Sequence, residues 1–257
     1  MSYKLSICMA AHRDHLWEKF YNSACESVGD NHSWELIMVG PRKPPEFFSG
    51  KKNCQFVHDL GAPARCAQRA TTLATGELMM WAADDGIFTK GSIGRCVDVH
   101  DSLSRKDGIA LKYTEGRNYG GAPMHNDYWI AHHHPPMRLA SIPRDFKIIL
   151  LGMVKLDYFR EIGGFDCRFE HLNMNLHDLS FRIQRDGGTI HVSDDIVCNH
   201  DWNPVEGDHL SVHEAFEKND LPLFTQLYTS GDAQRINIEY ENWKNSPEVW
   251  QRRFGNK

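Results

Sequence analysis

Two adjacent carboxylates, Asp84 and Asp85, end the apolar run in MMWAADDG. Carboxylate oxygens at the end of a buried strand are hard donors suited to Mg²⁺ or Mn²⁺, which in turn bridge phosphate oxygens. Open α/β sheets bind their ligands at that end of the strands. Asp-Asp-Gly is also a good turn sequence, and on its own the turn is the simpler reading. A second group of residues lies downstream, in IGGFDCRFE (162–170) and HDLSFRIQRDGG (177–188). Asp178 precedes an apolar helix, where it either caps the helix or displays a carboxylate to a site. Arg182, four residues on, offers it an ion pair. His200, in CNHDW, follows a predicted strand, and a neutral imidazole there suits the same ion. With 15 histidines in the chain, any single one is more often structural. The triplet His132-His133-His134 reads as a loop feature, because consecutive strand residues alternate faces and do not converge on one ion.

These residues need elements to position them. Residues 4–10 (KLSICMA), 34–39 (WELIMV), 54–58 (CQFVH) and 77–83 (ELMMWAA) read as short apolar strands. Between them, Leu16, Phe20, Ala24 and Val28 recur every four residues on one helix, and residues 64–75 read as another that stops at Gly76. Apolar strands alternating with helices indicate a mostly parallel sheet covered on both faces. Residues 108–113 and 148–154 read as further strands, 115–144 as long loops, and LDYFREIGGFD as a short helix closed by glycines. A helix over 179–185 and strands at 189–192 and 196–198 follow. C-terminal helices are expected at 212–218 and 223–228. The expected organisation is one catalytic domain over 1–200, with an extension over 201–257 packed on it.

The 257 residues are enough for a sizeable core, and 25% charged with 41% hydrophobic residues is ordinary for a globular protein. A net charge of −5 argues against a duplex nucleic-acid binder, which needs clustered Lys and Arg. No run reaches the roughly 18 apolar residues of a membrane helix, and the opening residues lack a long apolar leader. Seven scattered cysteines without a CxxC pair fit a reducing compartment. The expectation is a cytoplasmic protein.

In order as well as kind, these segments resemble the family 2 glycosyltransferases, inverting enzymes of the GT-A fold. LSICMAAHRDHLWEKFYNSACESV and WELIMVG are similar to that family's opening strand, helix and second strand. APARCAQRATTLATGELMMWAADDG is similar to its helix and metal-motif strand, and IGGFDCRFE with DLSFRIQRDGG to its GGFD segment and acidic helix. The resemblance implies a Rossmann-type GT-A sheet flanked by helices, a nucleotide-sugar donor, a saccharide or other hydroxyl acceptor, and a Mn²⁺ or Mg²⁺ cofactor. It implies Asp85 and His200 as metal ligands and Asp84 near the donor's ribose or the metal's water shell. Ala10, His12 and Arg65 or Arg69 fall where the family meets the nucleotide, and Asp178 would be the general base.

Three departures stand out. Gly40-Pro41 replaces the usual acidic residue after the second strand, Gln68 and Ala70 replace the usual Asn and Gly, and NLHDL replaces the ED-x-D-L motif. That last change leaves Leu176 at the usual base position, with Asp178 or another carboxylate such as Glu170 to do the work. Two alternatives remain: a metal-dependent phosphoesterase or nucleotide hydrolase built on the Asp pair and histidines, and an inactive carbohydrate-binding protein that keeps the fold. The C-terminal aromatics Trp243, Trp250 and Phe254 read as packing of a terminal helix.

Overall fold

The computed structural model describes residues 3–115, 147–200, 214–229 and 236–246. Tyr119, Tyr128 and Trp129 of the 115–144 segment, the histidine triplet, Trp250 and Phe254 lie outside them.

The apolar runs of the first eighty residues form strands because both their faces are covered. β1 (Leu5–Ala10), β2 (Trp34–Gly40), β3 (Cys54–His58) and β4 (Leu78–Trp81) pair in parallel in the order β3-β2-β1-β4. Every residue of β2 and β4 is buried. α1 (Trp17–Val28) turns Trp17, Phe20, Ala24 and Val28 inward, one per helical turn. α2 (Pro63–Leu73) opens on Pro63, whose missing N–H costs nothing at a helix start.

Beyond β4 the pattern becomes mixed. β5 (Gly86–Phe88), α3 (Ser92–His100), β6 (Gly108–Glu115), β7 (Gly152–Lys155), α4 (Leu156–Glu161), α5 (Leu172–Arg185) and β8 (Ile190–His200) follow in chain order. The sheet has eight strands, ordered β3-β2-β1-β4-β7-β6-β8-β5 among the described residues. β6 runs parallel to β8, while β4/β7, β6/β7 and β5/β8 are antiparallel. β4 is central, yet β5, which begins five residues after it, is the far edge. The sheet therefore curls back toward the end of β4.

A wide helical turn (Phe216–Asp220) and α6 (Leu221–Thr229) cover α5. Here Phe224 stacks on Tyr228 at 4.4 Å and meets Phe181 at 6.0 Å. Ala64, Ile148, Phe169, Met174 and Leu227 complete this second apolar cluster.

Five elements differ from the sequence expectation. α5 starts at Leu172 and not near residue 179, because its N-terminus is held by groups distant in sequence. β8 is one strand, bridged by Ser193, whose hydroxyl accepts the Lys112 N–H at 2.9 Å. β7 is shorter than the apolar run 148–154. α3 and β5 carried no readable signal. β5 has three residues, and SIGRCVDVH is rich in weak helix formers that burial of Ile93, Cys96, Val97 and His100 overrides.

Candidate active site

The Asp84-Asp85 pair is both a turn and a displayed pair of carboxylates. Gly86 N–H donates to the Ala83 carbonyl at 3.2 Å, which closes a turn with the two aspartates at its corners. Asp84 is buried, and its Oδ2 accepts the amides of His12 (2.7 Å) and Arg13 (2.6 Å) and the Trp17 indole N–H (3.1 Å). Its Oδ1 accepts Arg13 Nε at 2.8 Å, with Arg13 Nη2 at 2.7 Å. Burial by itself would raise this carboxyl. The Arg13 charge and the two amides outweigh it and hold Asp84 below the ordinary carboxylate range. Asp84 thus ties the β4 turn to the β1–α1 connection through the chain's own N–H groups, where the resemblance implied contact with donor or metal water.

Asp85 faces differently. Its Oδ2 lies 3.3 Å from Arg13 Nη1, while its Oδ1 is buried and has no hydrogen-bond partner. A buried carboxylate oxygen with nothing to accept is costly.

The curl of the sheet brings His200 to the same place. In the β5/β8 ladder Gly86 is directly opposite His200, so the imidazole stands beside the residue that follows Asp85. His200 is buried, its Nδ1 has no hydrogen-bond partner, and its Nε2 lies 3.6 Å from Cys198 Sγ. The Tyr113 ring meets the imidazole edge-on at 5.2 Å. Gly86 makes this packing possible. A Cβ there would approach Cys198 Sγ to 2.8 Å and His200 Nε2 to 3.4 Å.

The carboxyl ends of β1, β2 and β3 continue the rim. Ala10 ends β1, and His12 follows it with its amide on Asp84. At Gly40 any side chain would run into the Ala11 carbonyl, which explains why no acidic residue stands there. Asp59 N–H donates to the Gly40 carbonyl at 3.0 Å, placing a buried acid one strand further along. Arg65 and Arg69 both turn to Asp59, Arg65 Nε at 3.0 Å and Arg69 Nη1 at 2.6 Å. The Trp243 ring covers both guanidinium groups at 5.7 and 5.2 Å.

Asp178, expected as the general base, is held by the chain itself. It lies inside α5, fully buried. Its Oδ2 accepts Arg182 Nε at 2.9 Å, and its Oδ1 accepts the Tyr228 hydroxyl at 2.8 Å. Arg182, equally buried, donates onward to the carbonyls of Ile162 and Gly164. The i+4 ion pair is therefore real, and its work is to join α5, α6 and the glycine turn. Gln68 serves the same turn, accepting Phe165 N–H at 2.8 Å and donating to the Gly163 carbonyl at 3.1 Å.

Glu170 sits elsewhere. It lines a cavity of about 520 Å³ with Ala62, Arg168, Asn219, Glu239 and Asn242 among its walls. Asp85 and His200 do not line that cavity. Phe165, which precedes the cavity-lining Asp166, packs edge-on against Trp81 at the end of β4, 5.9 Å away.

The sequence reading did not single out Arg13, Asp59, Asp220 or the role of Trp17. Only Arg13 and Trp17 offered a signal, as polar-tipped residues in the connection after β1 and at the first position of α1.

No protein-family model matches the chain, and no curated protein sequence matches it. Solved structures do. The crystal structure of residues 1–349 of S. aureus TarS, a GT-A glycosyltransferase, matches with a TM-score of 0.60 at 15% identity, covering 99% of this chain and 72% of that one. Its complex with UDP-GlcNAc gives 0.62 at 15% identity, with 93% and 69% covered. Its complex with UDP gives 0.55 at 13% identity, with 94% and 77% covered. The chain has the GT-A fold.

Proposed function

We propose that this chain is an inverting glycosyltransferase that moves a sugar from a nucleoside diphosphate, uridine being the favoured base, to an acceptor hydroxyl. The observation that carries the reading is the Gly86–His200 register, which sets a late imidazole beside Asp85 at the carboxyl rim of a GT-A sheet. The UDP and UDP-GlcNAc complexes of the similar fold support the donor class. Nucleotide would lie along Ala10, His12 and Gly40, near the Asp59–Arg65–Arg69 group.

The orphaned Asp85 Oδ1 and His200 Nδ1 fit a Mn²⁺ or Mg²⁺ ion. Among the described residues no three His, Cys, Asp or Glu side chains form a cage, so diphosphate oxygens would complete the shell. When bound, such an ion neutralises the departing diphosphate and orients it. Arg13, against both aspartates, favours a second reading in which its guanidinium shares that charge.

With Asp178 shut inside the helix, Glu170 is the carboxylate left for the base, which in an inverting displacement acts on the sugar face opposite the diphosphate and so need not line the Asp85–His200 region. Its carboxylate takes the proton of the acceptor hydroxyl as that oxygen bonds to the anomeric carbon. The carbon–oxygen bond to the diphosphate breaks on the opposite face, and the diphosphate leaves with the electron pair. Such base catalysis contributes about 10²–10⁴-fold.

Incubation with a panel of nucleotide sugars and Mn²⁺, read by release of nucleoside diphosphate, tests the reading. Donor-specific release, lost in Asp85→Asn and Glu170→Gln and reduced by EDTA, is expected. Release that persists in EDTA but fails in Arg13→Ala would favour the guanidinium. Indiscriminate phosphate release, or binding without turnover of any donor, would overturn transfer in favour of a hydrolase or an inactive binder.

A further inference from the structure

We infer that Asp220, supplied by the segment after α5 and β8, is a positioning residue for Glu170, so the C-terminal extension is part of the catalytic apparatus. The inference rests on Glu170 being the base. Asp220 is fully buried in the turn that precedes α6. Its Oδ1 accepts the Glu170 amide at 2.8 Å and its Oδ2 the His171 amide at 2.8 Å. Its neighbour Asn219 donates to the Arg168 carbonyl at 3.2 Å and to Asp220 Oδ1 at 2.8 Å. Two consecutive residues thus clasp the chain at 168, 170 and 171. Charge-assisted bonds to two adjacent amides fix position and orientation together.

The clasp braces the chain ahead of α5 and goes beyond apolar packing. Apolar residues of α6 already bind α5 through Phe181, Phe224 and Tyr228, and a buried carboxylate adds desolvation cost to that contact. What it adds is a fixed backbone at Glu170, a residue in the wall of a cavity that Asn219 also lines. A base displaced by about 1 Å loses on the order of 10²-fold in rate.

The test uses the full chain and UDP release from the donor selected by the panel, with kcat and KM measured separately against pH. Asp220→Asn is expected to lower kcat at least tenfold, with donor KM within twofold and the acidic limb of the kcat profile displaced. Should that variant fail to fold, Asn219→Ala carries the same expectation at about threefold. Wild-type kcat and pH profile in whichever variant folds, with Glu170→Gln inactive, would overturn the inference and leave the base in place. Full activity of Glu170→Gln would instead remove the base and this inference with it.

Discussion

At the scale of single residues, the same side-chain type does opposite work depending on what surrounds it. Asp84 and Asp178 both accept guanidinium and neutral donors on both oxygens and are closed. Asp85 keeps one buried oxygen without a partner. An acid that holds structure is spent on the chain, whereas one that binds a ligand must keep capacity in reserve. Asp178→Asn is accordingly expected to act on stability. It leaves the Arg182 charge buried without its counter-ion, a loss of about 3–5 kcal/mol. That corresponds to a fall in Tm on the order of 10 °C for a chain of this size. Donor KM in the folded fraction should stay at the wild-type value. A variant with wild-type Tm and no transfer would return the base to Asp178.

At the scale of elements, the parallel half of the sheet is legible because β1, β2 and β4 are predominantly apolar runs, interrupted only by Ser6 and Glu35, with turn signals between them. The Asp pair was legible for the same reason, as the abrupt end of one such run. What the sequence could not convey was pairing across distance. β5 is three residues long, and it is defined only by β8 lying against it. α5 was read as short because Asn173, Asn175 and His177 are poor helix formers. In the fold Asn175 instead bonds both the N–H and the carbonyl of Asp166, and Asp220 braces the residues just before the helix. The expected cap at Asp178 failed with that boundary. The β5/β8 contact makes its own prediction. Gly86→Ala drives a methyl group against Cys198 and His200, an overpacking worth about 1–3 kcal/mol. Thermal unfolding should show that loss together with a smaller Tm gain from UDP plus Mn²⁺. Adding Cys198→Ala should restore the basal Tm, and failure to restore it would mean that the thiol is not what the methyl group meets.

At the scale of the whole molecule, none of the seven cysteines forms a disulfide and the stability rests on burial. His100, fully buried at the end of α3, shows one consequence. Burial, with Lys155 nearby, holds its imidazole below the ordinary histidine value. It is neutral in the fold and takes up a proton on unfolding below about pH 6.5. Its contribution is therefore complete above that pH and is lost as the pH falls through it. Urea midpoints should decline between pH 7.5 and 5.5, and less steeply in His100→Gln; equal slopes would clear His100 of the effect. The curl of the sheet has a kinetic consequence of its own. Gly86 and His200 are more than a hundred positions apart, so their meeting is among the entropically costlier closures the chain must make. During refolding, circular dichroism should recover before fluorescent-UDP capture does. Nucleotide affinity would then serve as a clock for the last stitch, silent in any intermediate whose β8 has yet to dock.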